Sequence, residues 1–219
     1  MTTKIVLLGA PGAGKGTQGE LLCKKLGIPK ISTGDLLREA VANRTEIGLK
    51  VESLMGTGQL IADEIVMELL SQRLDQADCA QGYVLDGFPR TAEQCQMLFD
   101  AGVVVTLVLE LHVADEVIVD RMSGRRVHKP SGRTYHVTLN PPLTPDVDDI
   151  TGEPLTSRAD DAPEIVLKRL AIYHEQINPI LNFYRNLPYR HCPKIRRIVG
   201  EGPLEDVQAG LFGAVHPKA

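Results

Sequence analysis

The sequence predicts an α/β fold: a doubly wound parallel sheet of five strands, of the P-loop type, carrying a small helical insertion and a small β-rich one. Three observations carry this. Strand-like runs at Lys4–Leu8, Lys30–Ser32, Tyr83–Asp86, Val103–Leu111 and Ile195–Val199 alternate with helical patterns. The first run ends in Gly9-Ala10-Pro11-Gly12-Ala13-Gly14-Lys15-Gly16-Thr17, a glycine-rich loop that leads straight into a helix. Residues 124–161 break the alternation with prolines, glycines and short β-like pieces.

Taken in order, Lys4–Leu8 reads as a strand buried on both faces. Residues 15–26 form a helix with Leu21, Leu22 and Leu26 on one side, and Gly27 stops it. After the short strand Lys30–Ser32, Ser32 caps a helix with Asp35 three residues on. Residues 35–61 hold helical pieces broken by Gly48, Gly56 and Gly58. Asp63–Leu74 is amphipathic through Ile65, Val66, Leu69, Leu70 and Leu74. The strand Tyr83–Asp86 ends in Gly87-Phe88-Pro89-Arg90, and Thr91 with Gln94 has capping-box spacing for the next helix. Val103–Leu111, the longest apolar run, reads as a central strand, and Asp115–Ser123 as the helix after it. Beyond residue 161, Asp161, Pro163 and Glu164 supply cap, first-turn proline and capping acid for a long helix. That helix should turn Ile165, Leu167, Leu170, Ile172 and Ile177 to the core and be kinked or interrupted at Pro179. Ile195–Val199 is the last strand, and Leu204–Phe212 closes the chain.

The 219 residues suffice for one substantial core with insertions. A net charge of −4 gives no general field for nucleic acid, so phosphate recognition must come from local arginines. Cys23, Cys79, Cys95 and Cys192 lie far apart with no C-x-x-C pair, which points to reduced thiols, a cytoplasmic protein and no cysteine zinc site. Met1-Thr2-Thr3-Lys4 precedes only a four-residue apolar run, so neither signal peptide nor membrane span is expected.

The chemistry starts at the loop. Its glycines let the backbone curl until successive N–H groups point inward, with no β-carbon in the way of a phosphate chain. The helix adds its positive N-terminal end and Lys15 a mobile charge. This is the P-loop pattern G-x-x-x-x-G-K in its strand–loop–helix context, and it binds a nucleoside triphosphate. Gly16 stands where the general pattern has Ser or Thr, with Thr17 one place later. Arg38, Arg90, Arg121, Arg125, Arg158 and Arg169 cluster at strand ends and insertion hinges, with Arg121 and Arg125 four apart on one helix. A single arginine is usually a solvated surface residue, whereas the set suits the clamping of phosphates.

The loop, Ser32-Thr33-Gly34-Asp35, Leu85-Asp86-Gly87-Phe88-Pro89-Arg90, Asp120-Arg121, Gly124-Arg125-Arg126 and Arg158-Ala159-Asp160-Asp161 occur in an order that resembles the adenylate kinase family. The resemblance runs from residue 4 to about residue 204 and includes the long form of the lid. It implies the reaction MgATP + AMP ⇌ 2 ADP, in adenine nucleotide homeostasis. It also implies a core of residues 1–31, 62–123 and 162–219, an AMP-binding insertion 32–61 and a lid 124–161, in a monomer that binds ATP, AMP and ADP but neither nucleic acid nor membrane.

By the same resemblance, ATP is held by Gly12, Ala13, Gly14, Lys15, Gly16 and Thr17, with Arg121, Arg125, Thr134, Tyr135 and Gly202 on the adenine and lid side. AMP is held by Thr33, Arg38, the backbone of Gln59, Leu60 and Ile61, and the turn Gly87, Phe88, Pro89 and Arg90, with Gln94, Arg158 and Arg169. Lys15, Arg90, Arg125, Arg158 and Arg169 act on the transferring phosphoryl, Arg125 and Arg158 arriving as the lid closes. Asp86 serves Mg²⁺, which is otherwise held by nucleotide and water because Gly16 lacks a hydroxyl. A monophosphate has its second pKa near ~6, so it offers an anionic nucleophile without a general base. Gln94 has the donor and acceptor that an adenine edge demands, and the capping partner of Thr91 is its competing role.

Some relatives hold the lid with four cysteines on zinc. Here His128, Ser131, Asp148 and Thr151 stand at the corresponding positions, and a hydrogen-bonded network without structural zinc is expected. Two stretches depart from the family pattern, Gln59-Leu60-Ile61 mildly and Glu201-Gly202 by lacking a basic or hydroxyl residue. Two other functions fit less well. A kinase for another nucleoside monophosphate, such as the short-lid pyrimidine enzymes, would share the loop but not the long lid and the Thr33/Gln94 pair. A non-catalytic nucleotide switch would want a guanine-reading N-K-x-D, which is absent.

Overall fold

A computed structural model describes residues 2–56, 61–157 and 161–216. Its strands are β1 (Thr3–Gly9), β2 (Lys30–Ser32), β3 (Gly82–Asp86), β4 (Leu107–His112), β5 (Arg125–Val127), β6 (Thr134–His136) and β7 (Lys194–Val199). Five of them form one parallel sheet in the order β2-β3-β1-β4-β7, while β5 and β6 pair antiparallel as a separate ribbon. The helices are α1 (Lys15–Leu26), α2 (Thr33–Ala42), α3 (Glu46–Gly56), α4 (Asp63–Leu74), α5 (Ala92–Asp100), α6 (Asp115–Ser123), α7 (Pro163–Asn186) and α8 (Leu204–Val215). The doubly wound α/β architecture is therefore the observed one. Among the described residues no helix is long and apolar enough to cross a membrane.

β1 lies at the centre of the sheet and is apolar on both faces. Ile5 and Leu7 pack with Leu109, Leu22, Ile118, Met122 and Leu211 on one side. Val6 and Leu8 pack with Leu85, Leu70, Leu98, Ile180 and Leu181 on the other. Each such side chain fully buried contributes ~1.5–3 kcal/mol, so the strand that launches the glycine-rich loop is among the best-anchored parts of the molecule. In the ladder Leu7 is opposite both Asp86 and Leu109, which brings the end of β3 beside the start of the loop.

Several elements differ from expectation for identifiable reasons. β4 begins at Leu107, not Val103. The preceding residues are held by other bonds: the Thr106 hydroxyl donates to the Lys4 carbonyl and accepts its N–H, and the Tyr83 hydroxyl donates to the Val104 carbonyl at 2.6 Å. Gly48 does not break a helix; it lies inside α3, where a β-carbon would overlap the Ala40 carbonyl of α2. The missing side chain is what lets the two helices cross so closely.

α7 runs through Pro179 without interruption, the flanking Ile177, Ile180 and Leu181 all being buried. Its core face is Val166, Leu170, Ile177, Ile180, Leu181 and Tyr184, whereas Ile165, Leu167 and Ile172 face outward. Ala162, not Asp161, caps it. α6 stops at Ser123, whose hydroxyl donates to the Asp120 carbonyl, so Arg125 falls on β5 and does not share a helix with Arg121.

Candidate active site

Gly12 and Gly14 take φ of +82° and +93°, backbone that favours glycine, and the loop they shape ends on the first turn of α1. At Gly12 a β-carbon would also come within 2.8 Å of Met122, so the loop rests directly on α6. Lys15 folds back over it, donating to the carbonyls of Gly9 at 2.6 Å and Ala10 at 2.9 Å. Burial pushes the Lys15 ammonium down to about 8; Asp86 opposes the shift, and Arg90, Arg169 and Arg125 add to it. Four residues from β3, its following turn, α7 and β5 thus share one electrostatic field with the loop lysine.

Around the turn after β3, the Gly87 carbonyl accepts the Thr33 hydroxyl at 3.2 Å and Arg90 Nε at 2.7 Å. Burial and Arg169 lower the pKa of Arg90, with Asp86 opposing. Thr91 caps α5 through the Gln94 N–H at 3.2 Å, as its spacing predicts. The Gln94 side chain goes elsewhere: its Oε1 accepts the Arg90 N–H at 2.6 Å and its Nε2 donates to Asp63 at 2.8 Å. Ser32 caps α2 through the Asp35 N–H at 3.3 Å. Arg38 is ion-paired with Asp35 of the same helix. Ile61 lies half-buried just before α4, while Gln59, Leu60 and Arg158 fall outside the described residues.

On the other side of the loop, Arg121 Nη2 donates to the Gly200 carbonyl at 3.0 Å and Nη1 reaches the Ala13 carbonyl at 3.5 Å. Burial lowers its pKa against the pull of Glu201. Gly202 has φ +96°, and Glu201 before it accepts the N–H of Ala114, the residue capping α6, at 2.8 Å. The acid that departs from the family pattern therefore ties the last turn to α6.

The β5–β6 insertion is built on polar bonds. Arg125 pairs with the buried Asp161 through both arms of its guanidinium, Nε to Oδ2 measuring 2.8 Å. His128 bonds Ser131 at 2.7 Å and Glu153 at 2.6 Å, and the Thr151 hydroxyl donates to Asp148 at 2.9 Å. Arg133 grips Asp148 at 2.8 and 2.6 Å. The four expected positions do form one network. Glu153 and Arg133 complete it, and nothing in their local sequence marks them. Thr134 is exposed, whereas Tyr135 is buried within the insertion with its hydroxyl donating to Asp148 at 3.0 Å. Among the described residues no group of three His, Cys, Asp or Glu is placed to hold a metal.

Sequence reasoning also missed a polar pair in the sheet. Glu110, buried on β4, is opposite Arg197 of β7 in the ladder and binds it at 2.9 and 3.0 Å. The signal was an acid interrupting the longest apolar run. The pair is outside the loop site.

Cationic groups drawn from three separate elements to one phosphate loop suit transfer between two phosphorylated substrates better than the holding of one. That defines a P-loop phosphotransferase. Residues 7–188 match the family model described as adenylate kinase, and the chain belongs to the adenylate kinase family. It is accordingly a nucleoside monophosphate kinase.

Proposed function

We propose that the protein catalyses reversible transfer of the γ-phosphoryl group of ATP to AMP, giving two ADP. The observation that carries the choice of AMP is Gln94, a buried amide with donor and acceptor capacity, bonded to the Thr33–Gly87–Arg90 turn through the Arg90 N–H. An oxygen of the AMP phosphate attacks the γ-phosphorus, the bond to the β–γ bridging oxygen breaks, and ADP leaves with that electron pair. No base has to take a proton, because the attacking oxygen is already anionic at neutral pH.

In this reading the loop amides from Gly12 to Thr17 and Lys15 hold the ATP phosphates. Arg90 and Arg169 hold the acceptor phosphate and balance charge on the moving group, joined by Arg125 and Arg158 from the insertion. Arg121 and the Gly202 turn border the ATP base, with Thr134 and Tyr135 over it. Thr33, Arg38, Gln59 to Ile61, and Gly87 to Arg90 line the AMP side. Arg38 and Arg125 exchange their carboxylate partners for phosphate, and the insertion acts as a lid that excludes water as a competing acceptor.

Asp86 is a single oxygen donor beside the loop lysine, and one carboxylate plus substrate phosphates is the ligand set Mg²⁺ takes. When bound there, Mg²⁺ would neutralise phosphate charge. Cys23, Cys79, Cys95 and Cys192 are all free thiols, which supports a protein of the reducing cytoplasm. We read it as a monomer.

A coupled assay of ADP formation with ATP and AMP, CMP, UMP or GMP tests the function. AMP should be turned over at least tenfold faster than the others. Faster turnover of another monophosphate would transfer the assignment to it, and nucleotide binding without ADP formation would exclude catalysis.

A further inference from the structure

While its backbone N–H stays in the helix cap, the Gln94 side chain makes two bonds of opposite polarity. Its Oε1 accepts from the Arg90 backbone N–H at 2.6 Å, and its Nε2 donates to Asp63 Oδ1 at 2.8 Å. A backbone N–H can only donate and a carboxylate can only accept. Turning the amide over would set N–H against N–H at one end and oxygen against carboxylate at the other. Both partners therefore select the same orientation of a group that is buried and has little water to compensate an error. Among the described residues one N–H and one lone pair of the amide carry no bond, and their order in space is set by Asp63 and Arg90 before any ligand arrives.

That order is what distinguishes a 6-aminopurine from a 6-oxopurine. Adenine presents an N6–H donor next to an N1 acceptor; hypoxanthine presents an O6 acceptor next to an N1–H donor. An amide free to turn reads both. A locked amide reads one and leaves the other with donor facing donor. We propose that Asp63 is a specificity-determining positioning residue: by locking the Gln94 amide, it makes the acceptor pocket select AMP over 6-oxopurine monophosphates. The proposal rests on AMP being the acceptor. Asp63 need not touch the base; it acts from the first turn of α4 through Gln94.

The test compares AMP with IMP, which differ only at that edge, as acceptors from ATP. Wild type, Asp63→Asn and Glu64→Gln are assayed. An asparagine at position 63 can accept or donate, so only the Arg90 N–H still opposes turning. The AMP-to-IMP ratio of kcat/KM should fall about tenfold or more in D63N. It should stay at the wild-type value in E64Q, which removes the neighbouring exposed acid of the same helical turn. If Asp63 served helix stability alone, both substrates would decline together; an unchanged or larger ratio in D63N overturns the proposal. Should D63N turn over too slowly to assay, calorimetric titration with AMP and with IMP reads the same ratio as affinities. A wild-type protein that makes no ADP from ATP and AMP overturns the functional reading, and this inference with it. A wild-type protein that does make ADP, with D63N keeping the wild-type ratio, overturns this inference alone.

Discussion

Arg125 and Asp161 clasp the two ends of the β5–β6 insertion. The guanidinium on the strand that enters it meets the carboxylate of the segment that leaves it, with Nε and Oδ2 2.8 Å apart and both side chains largely sheltered. Asp161→Asn keeps the shape and removes the charge, so chemical denaturation should show a loss of about 1–3 kcal/mol. Arg125→Ala should in addition lower kcat about a hundredfold, since the same guanidinium is assigned to the transferring phosphoryl. A coupled ADP assay on both variants separates the two effects; an R125A enzyme with wild-type kcat removes that assignment.

Lys15 should make nucleotide capture sensitive to alkali. Burial holds its ammonium at about 8, against an ordinary 10.5, so the free protein loses this charge as pH rises through about 8. kcat/KM for ATP should fall along that limb, while kcat at saturating ATP holds to higher pH because bound phosphates favour the ammonium. For folding the sign is opposite. The native state sheds the proton before the unfolded chain does, so the cost of burying the charge is fully present below about 8 and is relieved as pH climbs toward 10.5. Asp86→Asn removes the opposing carboxylate and should move the kinetic limb to lower pH. A limb that stays in place belongs to another group.

Asp148 makes the insertion resistant to mild acid. Hydrogen bonds from Arg133 chiefly, against the effect of burial, and from Thr151 and Tyr135 hold its carboxyl well below the usual carboxylate range. Its contribution is therefore present above the ordinary value of ~3.9 and lost only as pH falls through the lower native value. Hydrogen exchange at the paired amides of Val127 and Thr156 should stay slow at pH 5. In Asp148→Asn the same amides should exchange faster already at neutral pH, with the amides of β1 unaffected.

Gly48→Ala tests the crossing of α2 and α3. Alanine improves helix propensity by about 1 kcal/mol, yet the added β-carbon would overlap the Ala40 carbonyl. The net result should be a loss of about 1–3 kcal/mol, read as a lower Tm. It should be joined by a higher KM for AMP, because α2 carries Thr33 and Arg38. A raised Tm would mean the helices part without cost.

What could be read from the chain beforehand depended on how local the cause was. The bounds of α1, α4 and α6 follow from neighbours in sequence: a glycine in left-handed backbone at Gly27, paired acids in the first turns of α4 and α6. The glycine loop and its lysine are legible for the same reason. The inward face of α7 is not legible in this way because apolar residues occur all round its first half, and only the packing partners decide that Val166 and Leu170 go inward while Leu167 and Ile172 do not. Asp161 had the letters of a cap, but Arg125, thirty-six positions away, is the stronger partner. Gln94 shows both cases at once: its backbone obeys the local cap, while its amide answers to Asp63, thirty-one positions away.

Among the described residues, the order of the main sheet leaves β2 and β7 with unpaired outer rims. β2 is only three residues long and turns at once into α2. β7 is longer but carries Lys194, Arg196 and Arg197 along its exposed length. A further copy adding there in antiparallel register would set cation against cation, and a short rim offers too few bonds to hold one. Both margins thus discourage strand-by-strand growth into fibrils, so the molecule's protection against aggregation is written into its two edge strands.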